Sequence, residues 1–229
     1  ALSNAPSAGS AIQPALAADD QGSIHATWQQ QATSTDKFQI YYAKFNGVSW
    51  STPKQVSAAS SVRGEEATID VDSRGYVWVV YNNDGEGAGK EFVYVVRSTD
   101  GGTTWGNKAD SISTGGTLGS SIEVARVALA AGPSGRLVAA WDNSLTGTNA
   151  RREVYVNQYD GSVWGTPVRI SDTTAVDRDH NRYVAAALDG QSNIYVFYTL
   201  PIVSASDPRT SYIVVHKKAW SGGWTPQYT

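Results

Sequence analysis

Arg63, Arg126 and Arg182 each stand just ahead of, or at the start of, a short apolar run, with acidic side chains close by. Glu65 and Glu66 accompany the first, Glu123 the second, Asp177 and Asp179 the third. A guanidinium presents a planar fork that grips a carboxylate through two parallel hydrogen bonds. Three of them at one mouth would hold an anionic ligand, and Arg63, Glu66, Arg126, Asp179, His180 and Arg182 are therefore the candidate ligand-binding residues. The alternative is that each arginine pairs with its own neighbour, Glu66, Glu123 or Asp179, and braces a loop. Gln13 takes the corresponding place ahead of an earlier run. The carboxylates Glu66, Asp177 and Asp179 and the hydroxyls of Tyr183, Tyr198 and Tyr212 supply groups for acid–base or nucleophilic chemistry, but no spacing singles out a set. Thiolate chemistry and disulfides are excluded by the absence of cysteine, and three histidines leave little for a zinc site, so no cofactor or metal is expected.

The elements that would position these residues repeat. A small or apolar run, a turn, an alternating strand ending in an aromatic residue, a second alternating strand and a turn closing on Trp recur four times. The strand-ending aromatics are Trp28, Tyr81, Trp141 and Tyr198. Nine residues before each lie Asp19, Asp72, Gly132 and Asp189, with Gly22, Gly75, Gly135 and Ser192 three residues further on. The closing tryptophans are Trp50, Trp105, Trp164 and Trp224, and Val56-Ser57 and Ile170-Ser171 end their units alike. Steps of 53, 60 and 57 residues relate the four units, the signature of a repeat architecture. Four short strands per unit are expected, in the first unit over Pro14–Ala18, Ser23–Gln29, Phe38–Phe45 and Lys54–Ser57. The stretches 123–131 and 183–188 are rich in alanine, the best helix former. They occupy the slot of Thr68-Ile-Asp-Val71, so strands are expected there. Asp70-Val-Asp-Ser-Arg-Gly75 has the carboxylate spacing that starts a calcium loop, but the parallel turns do not keep it and a plain hairpin is expected.

The segment Ser98-Thr-Asp-Gly-Gly-Thr-Thr-Trp105 matches the Asp-box pattern Ser-x-Asp-x-Gly-x-x-Trp. Shortened versions stand at Phe45-Asn-Gly-Val-Ser-Trp50 and Tyr159-Asp-Gly-Ser-Val-Trp164. On these motifs the chain resembles sialidase-like β-propellers, the bacterial neuraminidase repeat proteins. The resemblance implies an all-β fold: a β-propeller of four antiparallel four-stranded blades of about 57 residues. One domain over 1–229 is expected, with blades at about 12–57, 66–113, 124–171 and 182–229, either a ring in itself or part of a larger ring or array. It also implies that Ser98, Asp100, Gly102 and Trp105 form a structural turn on the face away from the ligand site, and that Arg63, Arg126 and Arg182 are positional candidates for an arginine triad. The Arg-Ile-Pro segment of sialidases is absent, since Val168-Arg-Ile170 runs into Ser171, and four blades fall short of the usual six.

The charge balance, Lys+Arg 18 against Asp+Glu 21 for a net −3, gives no footprint for a phosphate backbone or an anionic membrane. No window is apolar enough to span a bilayer. The expectation is a secreted or cell-surface, non-catalytic module that binds a glycan or another surface ligand through its loop face. Tyr183, Trp28 and Trp141 are candidates to stack on sugars. Alternatives are a sialidase-type glycoside hydrolase and a structural repeat segment of a large surface protein or filament. Self-association to complete a ring is a further expected partnership; nucleic acid and membrane insertion are not expected.

Overall fold

A computed structural model describes residues 2–3, 9–57, 63–83, 91–106, 110–113, 123–144, 152–171, 182–202 and 210–228. They form four antiparallel four-stranded sheets, each built from strands consecutive in the chain. Sheet 1 holds β1 (Ser10–Ala18), β2 (Ile24–Gln31), β3 (Gln39–Phe45) and β4 (Lys54–Gln55); sheet 2 holds β5 (Gly64–Val71), β6 (Val77–Asn83), β7 (Phe92–Ser98) and β8 (Asp110–Ser111). Sheet 3 holds β9 (Glu123–Ala131), β10 (Leu137–Ser144), β11 (Arg152–Tyr159) and β12 (Val168–Arg169); sheet 4 holds β13 (Arg182–Leu188), β14 (Ile194–Ile202), β15 (Thr210–Lys218) and β16 (Thr225–Tyr228). The alanine-rich stretches are strands β9 and β13. Pairing with β10 and β14 and burial against the neighbouring sheet override a propensity that is only a weak local bias.

The sheets stack face to face, β1 against β5, β5 against β9 and β9 against β13. Alternation along each strand sends one set of side chains to the preceding sheet and the other to the following one. Tyr81, Val79 and Val77 thus meet Ile40 and Tyr42 of sheet 1, while Val80 and Trp78 meet Leu137, Ala139 and Trp141 of sheet 3. Val138, Ala140, Val154 and Val156 in turn cover Ile194, Val196 and Tyr198 of sheet 4. Among the described residues the stack does not close. Ile12 and Leu16 are exposed on the first sheet, Phe197 and Ile213 on the last.

In sheets 1, 2 and 4 the turn from first to second strand is capped by an aspartate. Asp19 Oδ1 accepts the N–H groups of Gln21 and Ser23, Asp72 Oδ1 those of Arg74 and Tyr76, and Asp189 Oδ1 those of Gln191 and Asn193. Oδ2 then takes a side chain six residues on: His25 at 3.1 Å, Trp78 Nε1 at 2.9 Å and Tyr195 at 3.2 Å. In sheet 3 carboxylate and donor are absent together, as Gly132 and Val138, and a 3-10 turn over Pro133–Gly135 replaces the device. The slot three residues after each aspartate lies in the left-handed region, at Gly22, Gly75, Gly135 and, with φ 62°, Ser192.

The Val/Ile-Ser endings also have a physical role. Val56, Ile112 and Ile170 donate backbone N–H to Ile40, Val93 and Val154, whose own N–H groups are accepted by Ser57, Ser113 and Ser171 Oγ at 3.0, 2.9 and 3.0 Å. Pairing thus continues past the two-residue strands β4, β8 and β12. The segment 98–105 forms a tight turn: Ser98 Oγ donates to Asp100 Oδ1 at 2.7 Å, Gly102 N–H donates to Ser98 Oγ at 2.8 Å, and Thr104 N–H donates to Asp100 Oδ1 at 2.8 Å. Trp105 packs edge-on against Tyr42 of the preceding sheet. Asn46 and Asp160 cap the shorter counterparts of this turn.

Candidate functional site

Every inner strand carries a bulge near its N-terminal end. The pairing register shifts between Ile12 and Ala15, between Glu65 and Thr68, opposite Trp141 and Asn143, and between Arg182 and Ala185. Steps of 53, 60 and 57 residues, the same that relate the units, relate Gln13, Glu66, Arg126 and Tyr183 within these bulges. Three of the four adopt left-handed backbone, with φ 53° at Gln13, 51° at Glu66 and 58° at Tyr183. Such a conformation costs a residue with a side chain about 1–3 kcal/mol and is found where the surrounding structure enforces it. Bulges re-aim side chains and gather beside binding sites.

At Glu66 the preceding sheet contributes to this. Gln29 Oε1 accepts Glu66 N–H at 2.9 Å, and Asn82, one sheet further on, donates to Val124 O at 2.6 Å. The bulge side chains then meet across the mouth. Gln13 Nε2 donates to Glu66 Oε1 at 2.6 Å, joining sheets 1 and 2, and the Arg126 guanidinium lies 4.8 Å from the ring centre of Tyr183, joining sheets 3 and 4. Between these pairs β5 and β9 are neighbours, so the four residues line one arc at the N-terminal ends of the inner strands.

A further carboxylate reaches the arc that no sequence signal marked. Glu91, just before β7, accepts Val124 N–H through Oε2 at 2.7 Å. Asn82 and Glu91 therefore hold the two polar backbone groups of Val124, and Asn82 is paired with Glu65, the residue beside Glu66. Glu91 stands just ahead of β7, and only the fold brings it here. Two more carboxylates on this side are engaged: Arg152 Nη1 donates to Asp142 Oδ1 at 2.6 Å, and Ser171 Oγ donates to Glu153 Oε2.

The expected arginines behave differently from one another. Arg63 forms an ion pair with Glu65 at 2.5 Å, the neighbour beside the one the sequence pointed to. Arg126 is exposed and rests on Tyr183. Arg182 lies in β13 with its side chain outside the described residues, as do Asp177, Asp179 and His180 entirely. Of the three aromatic residues expected to stack on sugars, Trp28 is 5% exposed, packed with Ala26, Ala43 and Leu2 on the outer face of sheet 1, and Trp141 is 0% exposed between sheets 2 and 3, whereas Tyr183 is 58% exposed. Tyr198 is buried against His216, and Tyr212 is exposed on the last sheet.

Two cavities among the described residues lie elsewhere. One of about 460 Å³ is lined by the capped turns at Asp19 and Asp72, and one of about 410 Å³ by Trp78, Arg97, Tyr159 and Trp164. In the first Arg74 is paired with Asp72, and in the second Arg97 donates to the Tyr159 hydroxyl. Among the described residues no cluster of three potential metal ligands occurs, and no helix is long and apolar enough to cross a membrane.

The stacked four-stranded sheets, with inner strands side by side, define a β-propeller architecture. By sequence no family and no curated protein matches the chain. By structure it is similar to a protein of unknown function from Dyadobacter fermentans (TM-score 0.64, 14% identity, 97% of this chain and 70% of that one). It is also similar to the GH93 α-L-arabinofuranosidase of Fusarium graminearum in complex with arabinobiose (TM-score 0.65, 13% identity, 97% and 68%). A third likeness is to the Penicillium chrysogenum α-L-arabinanase complexed with arabinobiose (TM-score 0.60, 16% identity, 94% and 66%). The chain thus spans about two thirds of the length of these structures.

At this identity the likeness is one of fold. It supports the propeller and leaves the sialidase resemblance resting on the sequence motif alone. It also corrects the expectation of a non-catalytic binding module, because the neighbours of known activity are enzymes that cleave glycosidic bonds. The sequence pointed the other way because its most specific motif is a turn at the end of the sheets remote from the bulges.

Proposed function

We propose that this chain carries the reaction centre of a glycoside hydrolase acting on arabinose-containing glycans, with Glu66 and Glu91 as its two carboxylates. The observation behind the reading is that Glu66 stands in the bulge of β5 and Glu91 holds Val124 N–H at the start of the neighbouring β9, in a fold shared with arabinan-cleaving enzymes. Glycoside hydrolysis needs one carboxyl group to protonate the leaving oxygen and a second to attack the anomeric carbon or activate water. Gln13 orients Glu66 through its amide, and the exposed Arg126 guanidinium offers N–H donors to sugar hydroxyls. A polymeric glycan substrate fits a secreted or cell-surface protein.

The test is sugar release from linear arabinan, an aryl α-L-arabinofuranoside and an aryl sialoside. Turnover of either arabinose substrate is expected, and Glu66→Gln and Glu91→Gln should each lower kcat by about 10²–10⁴-fold. The amide at 91 keeps an acceptor for Val124 N–H, so the fold survives. Release from the sialoside alone would return the assignment to the sialidase type, and release from none would refute it.

A further inference from the structure

We propose that Tyr183 is the sugar-stacking platform of this site, a binding residue that receives a neutral pyranose or furanose ring on the face opposite Arg126. The inference rests on the glycoside hydrolase reading and adds to it the residue that fixes where the sugar lies. Tyr183 is the step-equivalent of Glu66, two inner strands along the same arc, and like Glu66 it sits in a bulge with left-handed backbone. A bulky aromatic residue is disfavoured in that conformation, and Tyr183 is not part of the core, the residue being 58% exposed. Its equivalents show no demand for an aromatic residue either, being Gln13, Glu66 and Arg126.

One face of the ring is occupied. The Arg126 guanidinium lies 4.8 Å from its centre, a cation–π contact that holds the ring in one orientation and so reduces the ordering cost of binding. Sugars present a face of C–H bonds with hydroxyls around the rim. The open face of Tyr183 suits the former, and Gln13, Glu66 and Arg126 along the arc offer donors and acceptors to the latter. The buried Trp28 and Trp141 cannot serve.

The decisive variant is Tyr183→Asn, since asparagine tolerates left-handed backbone and removes the ring. On whichever arabinose substrate is turned over, KM should rise about tenfold, with kcat changed less and the thermal midpoint equal to wild type or higher. Tyr183→Phe should restore the wild-type KM, because the ring and not the hydroxyl does the work. A Tyr183→Asn enzyme with unchanged KM overturns the proposal. Saturation-transfer NMR with arabinotriose, xylotriose and sialyllactose separates the two readings. Contact between a sugar and the Tyr183 ring, lost in Tyr183→Asn, without any hydrolysis supports the platform while refuting the enzyme. Absence of transfer from every sugar to that ring overturns the platform.

Discussion

Asp19 shows how much one carboxylate does here. Burial alone would push its pKa up, but the N–H of Ser23, His25, the N–H of Gln21 and the charge of Lys44 outweigh that and hold it at about 2. A carboxylate with a depressed pKa stabilises the fold above its unfolded value, near 3.8, and loses that contribution as pH falls toward about 2. Asp72 is shifted in the same direction: burial opposes, and Arg74 and Trp78 prevail. The thermal midpoint should therefore drop between pH 4 and pH 2, and Asp19→Asn should flatten part of that slope in a series of melting curves. His25 and His216 act earlier. Burial lowers both, so each is held neutral and its contribution, complete above about pH 6.5, declines as pH falls below it. A midpoint at pH 5 equal to that at pH 7.5 would contradict this. Glu66, Arg126 and Tyr183 show what single residues disclosed beforehand. The first two were legible as polar groups ahead of a strand, but only the third dimension set Tyr183 apart from Trp28 and Trp141, because which aromatic end is covered depends on the sheet beside it.

The strand periodicity, the capped turns and the serine-terminated fourth strands were readable at the scale of elements, each having a local chemical cause. The bulges were not. A register shift arises from pairing with the next strand and from Gln29 and Asn82 reaching across from the sheet before, and neither leaves a residue signature of its own. Glu91 was hidden for the same reason. The turn at 98–105 makes a sharp element-level prediction. Gly102 has φ 91°, and a Cβ there would fall 1.8 Å from the Tyr42 hydroxyl, so Gly102→Ala must displace Tyr42 from between sheets 1 and 2. A loss of about 1–3 kcal/mol is expected in denaturant unfolding, against little effect for Gly22→Asn, where the space is open and asparagine tolerates the same backbone. Ser57→Ala should cost a similar amount by leaving the buried Ile40 N–H without its acceptor.

For the whole molecule, what matters is that sheets 2 and 3 are covered on both faces and sheets 1 and 4 on one. Stability in such a stack is a sum of sheet terms and nearest-neighbour interfaces. Hydrogen exchange should therefore be slowest in β6 and β10 and fastest in β2 and β14, and uniform protection would contradict the open arrangement. The uncovered faces carry Leu16 at one end and Phe197 and Ile213 at the other, positions whose counterparts Ile69, Val80 and Val93 are buried. Sedimentation should show concentration-dependent association that Leu16→Glu and Phe197→Glu each weaken. The left-handed backbone at Gln13, Glu66 and Tyr183 has a consequence for any library of variants challenged by heat. Glycine or asparagine at these three sites would be enriched among the survivors, with no knowledge of any substrate. A screen blind to chemistry would in that way draw the outline of the mouth, and the most heat-tolerant members would be the ones that had given up their grip on sugar.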